Sequence, residues 1–234
     1  AAGLYTAPAD HGGPLRVHAA LDSLEASCTA DLHLVGHGDL TGDPALDAAA
    51  LGAADAPEDP ACAPVLQYPS PDVVFARDLP GPRGQWAPAP GQDLFLMTLS
   101  SPWAEVSVTT TAPDATVGAL LWAAFAHPAH GEEAELRVVG GTWDAASGGL
   151  LGACATSTPF GIDSLDQPGT IFYWSPSTQG LWRIPSGADA AEPWLGPDNT
   201  GYCVGCHTAN LANPDLMAMN YGGGNGWSVL GAVD

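Results

Sequence analysis

The sequence of 234 residues predicts a mainly β fold, an antiparallel sandwich of the Ig-like or jelly-roll type preceded by an irregular N-terminal arm. Short apolar or alternating segments recur from about residue 71 onward, and Pro, Gly and Asp interrupt them. No segment with the period of a helix is longer than about three turns. Hydrophobic residues form 46% of the chain, which is enough for a buried core. We expect three regions: an arm over 1–70, a sandwich over 71–194 and a C-terminal segment over 195–234.

The N-terminal region is rich in Ala, Asp, Pro and Gly and is predicted to be an extended arm or a small irregular subdomain. Within it, Asp31–Val35 alternates as a strand does. The Ala-rich run from Pro44 to Leu51 predicts one short helix. Asp43 is then the N-cap and Pro44 the first helical residue, positions that favour these residue types.

The sandwich region contains seven predicted strands. Glu105–Thr111 alternates and is rich in β-branched residues, whereas Leu120–Phe125 is continuously apolar, which is typical of a strand buried on both faces. Ser175–Gly180 separates the last two strands as a hairpin loop. In chain order, the predicted strands are 73–75, 93–99, 105–111, 120–125, 135–139, 171–174 and 181–184.

The C-terminal segment contains the pentapeptide Cys203-Val204-Gly205-Cys206-His207. Cys-x-x-Cys-His is the attachment sequence for c-type haem, in which two thiols add to the two vinyl groups of one porphyrin and the adjacent imidazole binds the iron. We therefore expect one covalent haem c, held by Cys203, Cys206 and His207. The alternatives are a redox dithiol, which needs a βαβ context, and half of a zinc site, which needs a second pair of ligands nearby.

The second axial ligand of the iron decides the chemistry, because methionine ligation raises the reduction potential and suits electron transfer. Met217 follows His207 by ten residues and is the preferred ligand. Met219 lies two residues further, on the same face of a strand, and is the second candidate. Met97 lies in a predicted sandwich strand, where packing in the core is the better interpretation. A distal histidine is the remaining alternative.

The tail after the motif predicts a terminal hairpin, with a strand over Leu216–Met219, a turn over Gly222–Gly226 and a last strand over Trp227–Leu230. Four tryptophans flank the motif in the sequence, and they are candidates to wall the porphyrin and exclude water. Trp227 is assigned to the cofactor site. The four are Trp174, Trp182, Trp194 and Trp227, of which the first two are equally expected in the sandwich core.

The charge is strongly acidic, with 26 Asp and Glu against 5 Arg and no Lys, which gives a net charge of −21. Such a surface repels nucleic acid and anionic membranes and favours a basic partner. General solubility is an equally good interpretation of the charge. No run of 18 apolar residues predicts a membrane span.

The compartment follows from the haem motif. Haem is attached on the outer side of the bacterial inner membrane, so we expect a periplasmic or extracellular protein, in which disulfides persist. The first residues, Ala1-Ala2-Gly3, are those expected after removal of a signal peptide. The cysteines outside the motif are Cys28, Cys62 and Cys154. Cys28 with Cys62 is the preferred bridge because both lie in the N-terminal region, although the sequence alone does not fix the pairing.

Other side chains are weaker candidates for a separate metal site. Two pairs of histidines could bind a metal if they lay on a helix. Gly residues lie beside one pair and Pro128 lies inside the other, so both pairs are better interpreted as surface or loop histidines. A group of three aspartates lacks the spacing of an EF-hand loop. These candidates are His33 with His37, His127 with His130, and Asp39, Asp43 and Asp47.

The stretch from Ile171 to about Val229 resembles a group of secreted bacterial proteins. In that group an Ig-like sandwich ends in an aromatic hairpin, here Phe172-Tyr173-Trp174 and Leu181-Trp182-Arg183. A Pro-containing linker, Cys-x-x-Cys-His, a Met-Ala strand and a Gly-rich turn follow, here with Met217-Ala218-Met219. The resemblance covers about a quarter of the chain. In that group the Met-Ala strand often opens a TolB-like propeller, and because the sequence ends at Asp234 we expect none here.

The chain as a whole looks like a monohaem c-type cytochrome whose haem is carried by a β scaffold. The expected function is electron transfer to a basic redox partner, with His207 and Met217 as axial ligands. An enzyme with an open sixth position on the iron, similar to a peroxidase, is one alternative. The other is a structural subunit of an extracellular assembly or homo-oligomer, in which the N-terminal arm pairs with a neighbouring sheet edge.

Overall fold

The computed structural model describes residues 12–22, 24–167, 169–210, 213, 216–222 and 227–232. The structure is mainly β, with 53% strand and 12% helix. The chain forms two compact units, the first from residues 1–77 and 81–166 and the second from residues 78–80 and 167–234. The predicted fold class, mainly β with antiparallel sheets, is confirmed.

The described residues of the first unit form eleven strands and two helices. They are β1 (Gly13–Leu21), β2 (Leu24–Leu32), β3 (Leu34–Asp39), α1 (Pro44–Gly52), β4 (Val65–Tyr68), β5 (Val73–Ala76), β6 (Arg83–Ala87), β7 (Leu94–Ser100), β8 (Ala104–Thr110), β9 (Asp114–Thr116), α2 (Ala119–Ala129), β10 (Glu133–Asp144) and β11 (Gly149–Asp163). The second unit contains β12 (Thr170–Ser175), β13 (Gly180–Pro185), β14 (Glu192–Leu195), the single turn α3 (Pro197–Thr200), β15 (Val204–Ala209), β16 (Leu216–Tyr221) and β17 (Trp227–Ala232).

A six-stranded sheet in the order β3-β8-β7-β10-β11-β5 forms the centre of the first unit. Its inner pairs are antiparallel, whereas β3 runs parallel to β8 and β5 runs parallel to β11 at the two edges. A second sheet, β4-β6-β9, and helix α2 share the core on one face of this sheet. Helix α1 packs on the opposite face. The sandwich therefore carries a third, helical layer.

Strand β7 shows why the central sheet needs cover on both faces. Phe95, Met97 and Leu99 point into the cluster shared with β6 and α2, and all three are 1% exposed or less. Leu94 and Leu96 alternate with them and pack against α1. Each face of the strand thus buries apolar side chains, at a gain of roughly 1.5–3 kcal/mol for each large one. The expected core position of Met97 is confirmed.

The strand predicted over Leu120–Phe125 is wrong, because these residues belong to α2. The buried residues of the helix are Trp122, Phe125, Ala126 and Ala129. This spacing places them on one side of a helix and continues past the predicted end of the strand. Leu120, in contrast, is 89% exposed, which a strand buried on both faces would not allow.

The N-terminal region is more regular than the predicted arm. The predicted helix is confirmed: Asp43 is the N-cap, and its carboxylate accepts a hydrogen bond of 2.9 Å from the amide of Ala45. Strand β3 belongs to the six-stranded sheet, β4 belongs to the second sheet, and β1 and β2 form a separate antiparallel hairpin. The region is regular because its strands pair with strands far along the chain: β3 pairs with β8, and β4 pairs with β6.

The second unit consists of two three-stranded antiparallel sheets, β12-β13-β14 and β15-β16-β17. The predicted hairpin across Ser175–Gly180 is confirmed, with Ser175 paired to Gly180. The two tail strands are confirmed as β16 and β17, while residues 223–226 of the predicted turn lie outside the described residues. Strands β12 and β13, predicted as the last strands of the sandwich, form a sheet of their own in the unit that holds the haem motif.

The disulfide joins Cys62 to Cys154, with a Cα–Cα distance of 5.7 Å, so the preferred Cys28–Cys62 pairing is wrong. Cys62 follows α1, and Cys154 lies on β11, the strand against which α1 packs. Cys28 lies at an exposed position of β2, opposite Val17. The bridge therefore ties the loop after α1 to the central sheet, and a disulfide is compatible with a secreted protein.

The disulfide gives the first prediction. Replacing both Cys62 and Cys154 with Ser removes a link between residues 92 positions apart. The free energy of unfolding should fall by about 2–5 kcal/mol, because the unfolded chain regains the freedom that the link removes. Chemical denaturation measures the change, and Cys28→Ser, which leaves the bridge intact, should unfold like the wild type. A non-reduced peptide map that joins Cys28 to Cys62 would contradict the assignment.

Candidate functional site

The haem motif lies at an edge of the second sheet of its unit. Cys203 directly precedes β15, and the other four residues belong to this strand. Because the strand order is β15-β16-β17, one side of β15 carries no ladder within its sheet. The Cys203 carbonyl accepts a hydrogen bond of 2.8 Å from the Gly222 amide, which anchors the start of the motif to the end of β16.

A β-bulge interrupts β15 within the motif. Gly205 pairs with Asn220 and Thr208 pairs with Ala218, so Cys206 and His207 together oppose the single residue Met219. In a regular strand, consecutive side chains point to opposite faces. The bulge interrupts this alternation at Cys206 and His207, which share one position of the ladder.

Cys206 has the backbone conformation that bulges usually reserve for glycine, with φ of +45°. A non-glycine residue in this left-handed region costs on the order of 1–3 kcal/mol, and such residues concentrate at functional sites. Its side chain is exposed, and Cys203 is half-buried. Neither cysteine forms a disulfide, so both thiols are available for covalent attachment.

His207 and the residues between the two cysteines contact the neighbouring sheet. Nε2 of His207 lies 3.2 Å from the carbonyl oxygen of Phe172 on β12. The Val204 amide donates a hydrogen bond of 3.0 Å to the Gln179 carbonyl. A Cβ atom at Gly205 would lie 3.3 Å from Nε1 of Trp174, so the indole of Trp174 covers the middle of the motif.

An apolar cluster lies beside the motif. Leu181, Val204, Met217 and Met219 are its buried members, each 3% exposed or less. Four half-buried side chains surround them: Phe172, Trp194, Leu195 and Tyr221. The rings of Phe172 and Trp194 lie 4.8 Å apart between centroids. The Tyr221 hydroxyl donates a hydrogen bond of 3.4 Å to the sulfur of Met219.

The residues present match the chemistry of a covalently attached haem. Two unpaired thiols and an imidazole lie within five residues on a sheet edge, and two methionine sulfurs lie in the adjoining apolar cluster. Cys203 and Cys206 would carry the thioether bonds, and His207 would bind the iron. If Nε2 of His207 is the iron ligand, it must give up its hydrogen bond with the Phe172 carbonyl. Such a hydrogen bond contributes about 1 kcal/mol to stability.

The flanking tryptophans have different positions. Trp174 lies against Gly205, and Trp194 lies at the boundary of the apolar cluster. Nε1 of Trp182 donates a hydrogen bond of 2.8 Å to the Thr178 hydroxyl within its own hairpin. Trp227 begins β17, and its side chain lies outside the described part of the chain.

Sequence reasoning missed one constellation in the first unit. Nδ1 of His37 on β3 lies 2.8 Å from the Ser107 hydroxyl on β8, and Nε2 lies 2.7 Å from the Asp47 carboxylate on α1. The residue types are those of a hydrolase triad. The signal was undetectable in sequence because Ser107 is 70 residues from His37 and becomes its neighbour only through the pairing of β3 with β8.

Within the described part of the chain, the surroundings of this constellation do not form a hydrolytic site. Strand β8 lies between β3 and β7, so the backbone amides near Ser107 are used in ladders and are not placed to stabilise an oxyanion. Two cavities of about 800 and 440 Å³ occur elsewhere in this unit, and neither is lined by Ser107, His37 or Asp47. The network instead fastens α1 to the sheet edge.

Of the other metal candidates, the three aspartates serve structural roles, and the His130 ring contacts the backbone carbonyl of His127. The hydroxyl and amide of Thr41 donate hydrogen bonds to Asp39 and hold the pKa of this carboxyl below its usual value. Asp43 caps α1, and Asp47 contacts His37. Within residues that the structure describes, no group of three or more His, Cys, Asp or Glu is placed to hold a metal ion.

Comparison with known proteins gives no further assignment. No protein-family model, curated protein or solved structure matches this chain. Across the described residues, no helix has the length and apolar character needed to span a membrane.

The Ser107–His37–Asp47 network gives the second prediction. Asp47→Ala should lower the free energy of unfolding by about 1 kcal/mol, because it leaves the imidazole of His37 without its acceptor. Thermal or chemical unfolding measures the loss. Asp55→Ala, at an exposed position after the same helix, is the matched control and should have little effect. Equal stability of the two variants, or labelling of Ser107 by a fluorophosphonate, would contradict a purely structural role.

Proposed function

We propose that this chain is a periplasmic or extracellular monohaem c-type cytochrome that transfers electrons. One observation carries the proposal: the bulge in β15 places Cys206, in a strained left-handed conformation, and His207 together opposite Met219. Cys203 and Cys206 are also free of disulfides, while Cys62 and Cys154 pair with each other. A regular strand would point the two side chains to opposite faces. The strained conformation is therefore explained if both side chains hold one porphyrin.

The residues of the motif then have distinct roles. Cys203 and Cys206 tether the cofactor covalently, so that it cannot dissociate from a protein exposed to the cell exterior. His207 supplies the first axial ligand. When bound, the haem iron supplies one-electron chemistry by alternating between ferrous and ferric states. The chain provides binding, orientation and a partly apolar surrounding.

We favour Met217 as the second axial ligand, with Met219 as the alternative. Both sulfurs are buried in the apolar cluster, on the same face of β16. Met219 lies opposite Cys206 and His207 in the ladder, but its sulfur accepts the hydrogen bond from Tyr221. Coordination by Met219 must replace that hydrogen bond. The preference for Met217 rests on this difference.

The apolar cluster would also influence the reduction potential. Leu181, Val204 and the half-buried aromatic rings exclude water from one side of the motif. An apolar surrounding disfavours the more highly charged ferric state, and thioether ligation acts in the same direction. The proposal therefore predicts a potential suited to accepting electrons from a weak donor.

The partner we propose is a basic redox protein. The net charge of −21 produces a field that attracts cationic surfaces and speeds their encounter. Four of the five arginines are paired with carboxylates, namely Arg77 with Asp166, Arg83 with Asp114, Arg137 with Glu58 and Arg183 with Glu192. The carboxylates outside these pairs therefore dominate the surface. Contacts between redox partners are small and transient, which suits attraction by charge.

The third prediction tests haem attachment. When produced in a bacterial periplasm with the haem c maturation system, the chain should carry one haem that survives denaturation, because two thioether bonds hold it. Mass spectrometry of the intact protein and the absorption spectrum of the reduced pyridine adduct measure it. Cys203→Ser and Cys206→Ser should lose one thioether each and the double variant should lose the haem, whereas Cys28→Ser should retain it.

Two outcomes would contradict the proposal. One is a wild-type chain that contains a Cys203–Cys206 disulfide and no haem after production with the maturation system. The other is stoichiometric zinc at the motif. Either result would leave a β-rich protein without a redox cofactor.

The fourth prediction separates the two methionines. Met217→Ala should abolish the weak red absorption band of the ferric protein, which reports iron–thioether ligation, and should lower the reduction potential. Met219→Ala is the matched control, because it removes a neighbouring sulfur from the same strand and cluster. It should keep the band. Loss of the band in Met219→Ala alone would reverse the assignment, and a ferric wild type without the band would favour the open sixth position of a haem enzyme.

A further inference from the structure

The hairpin β1-β2 has one apolar and one polar face. Its nine register pairs run without interruption from Gly13 opposite Leu32 to Leu21 opposite Leu24. Since paired residues share a face and successive residues alternate, the described side chains divide cleanly. One face carries Gly13, Leu15, Val17, Ala19, Leu24, Ala26, Cys28, Ala30 and Leu32. The other carries Pro14, Arg16, His18, Ala20, Glu25, Ser27, Thr29 and Asp31.

Most of the apolar face is open to solvent, while Leu15 and Leu32 are half-buried and Gly13 is buried. Val17 is 42% exposed and Leu24 is 71% exposed, and Cys28 is also exposed. Among the described strands, β1 and β2 pair with each other alone. A two-stranded hairpin is at best marginally stable in water without cover on its apolar face. A second surface packed on the apolar face would therefore stabilise the hairpin.

We infer that the apolar face of this hairpin docks on the same face of a second copy of the chain. Cys28 and Val17 form the fifth of the nine pairs, at the centre of the ladder. The β2 residues on this face, Leu24, Ala26, Cys28, Ala30 and Leu32, are symmetric in type about Cys28. A two-fold axis through the centre and across the strands lays Leu24 on the partner copy's Leu32 position, and Ala26 on its Ala30 position.

The β1 side of the same arrangement is also complementary. The two-fold axis places Leu15 opposite the Ala19 position of the other copy, a large residue against a small one. Val17 meets its own equivalent. Cys28 also meets its equivalent, and three of the four same-face neighbours of this central pair are alanines. Such self-complementarity is the requirement for an isologous contact and would not be needed for an unrelated partner.

The distribution of charged residues on the hairpin also favours a second copy of the chain as the partner. Two chains of net charge −21 repel each other, so a contact between copies must lie where carboxylates are absent. None of the nine described residues of the apolar face is charged, and the acidic residues of the hairpin, Glu25 and Asp31, lie on the other face. Asp22, in the turn, has φ of +52° and lies beyond the ladder.

The size of the surface sets the strength of the contact. Strands of nine residues are about 30 Å long, and two strands are about 10 Å wide, so each copy offers roughly 300 Å² of sheet. The two copies together bury less than the ~1,000 Å² that a stable interface usually needs. The dimer is therefore reversible, and its population rises with protein concentration.

The experiment uses the full chain and two matched variants. Val17→Lys places a charge on the apolar face twice in each dimer, and His18→Lys places one on the polar face of the same strand. Sedimentation over a range of concentrations should show a monomer–dimer equilibrium for the wild type and for His18→Lys. Val17→Lys should weaken dimerisation by at least about tenfold, which corresponds to ~1.4 kcal/mol.

Cys28 provides a second readout at the centre of the contact. Diamide, added as the oxidant, takes up two electrons and two protons as two Cys28 thiols form one S–S bond. Non-reduced peptide mapping should find the Cys28–Cys28 link in the wild type and in His18→Lys, and much less of it in Val17→Lys. A monomer at every concentration, or equal crosslinking in all three proteins, would overturn the inference. Unfolding curves of the variants should match the wild type, because the hairpin lies outside the sandwich core.

Discussion

Burial of the six-stranded sheet on both faces is the constraint on which the first unit depends. Strand β7 presents Phe95, Met97 and Leu99 to one side and Leu94 and Leu96 to the other. Each side needs its own cover, so the chain must supply two different layers. The sheet β4-β6-β9 with α2 provides one layer, and α1 provides the other. The Cys62–Cys154 bridge and the Ser107–His37–Asp47 network both hold the α1 side in place.

The sequence predicted elements whose signals are local. The alternation of Glu105–Thr111 identifies β8, and Asp43 followed by Pro44 marks the start of α1. The strand predicted over Leu120–Phe125 was wrong because every residue in this run is apolar. A run without polar residues shows neither the spacing of a helix nor the alternation of a strand. The spacing of Trp122, Phe125 and Ala129 is helical, but His127 and Pro128 hide the last turn. The helical spacing of the buried residues becomes visible only when the whole of α2, from Ala119 to Ala129, is considered.

Information that depends on distant pairing could not be predicted. The sequence predicted Cys203, Cys206 and His207 as a haem site because the chemistry of haem attachment fixes their spacing, and this remains a prediction. It could not place the bulge, which is defined by the partner strand β16, or the position of Trp174 against Gly205. It likewise could not choose between Cys28 and Cys154 as the partner of Cys62. That choice follows from the packing of α1 on β11 and not from closeness along the chain.

The position of the motif on an edge strand bears on how a haem could be attached to a β structure. The ladder between β15 and β16 uses one side of β15, so reaction at the exposed Cys206 thiol leaves the hydrogen bonds to β16 in place. Under the proposed ligation, His207 would exchange its contact with the carbonyl of Phe172, a residue at the boundary of the apolar cluster, for a bond to iron. Cys206 itself has a left-handed backbone conformation, with φ of +45°. Under the proposed function, thioether formation at Cys206 would therefore use the strained backbone geometry that the bulge in β15 imposes.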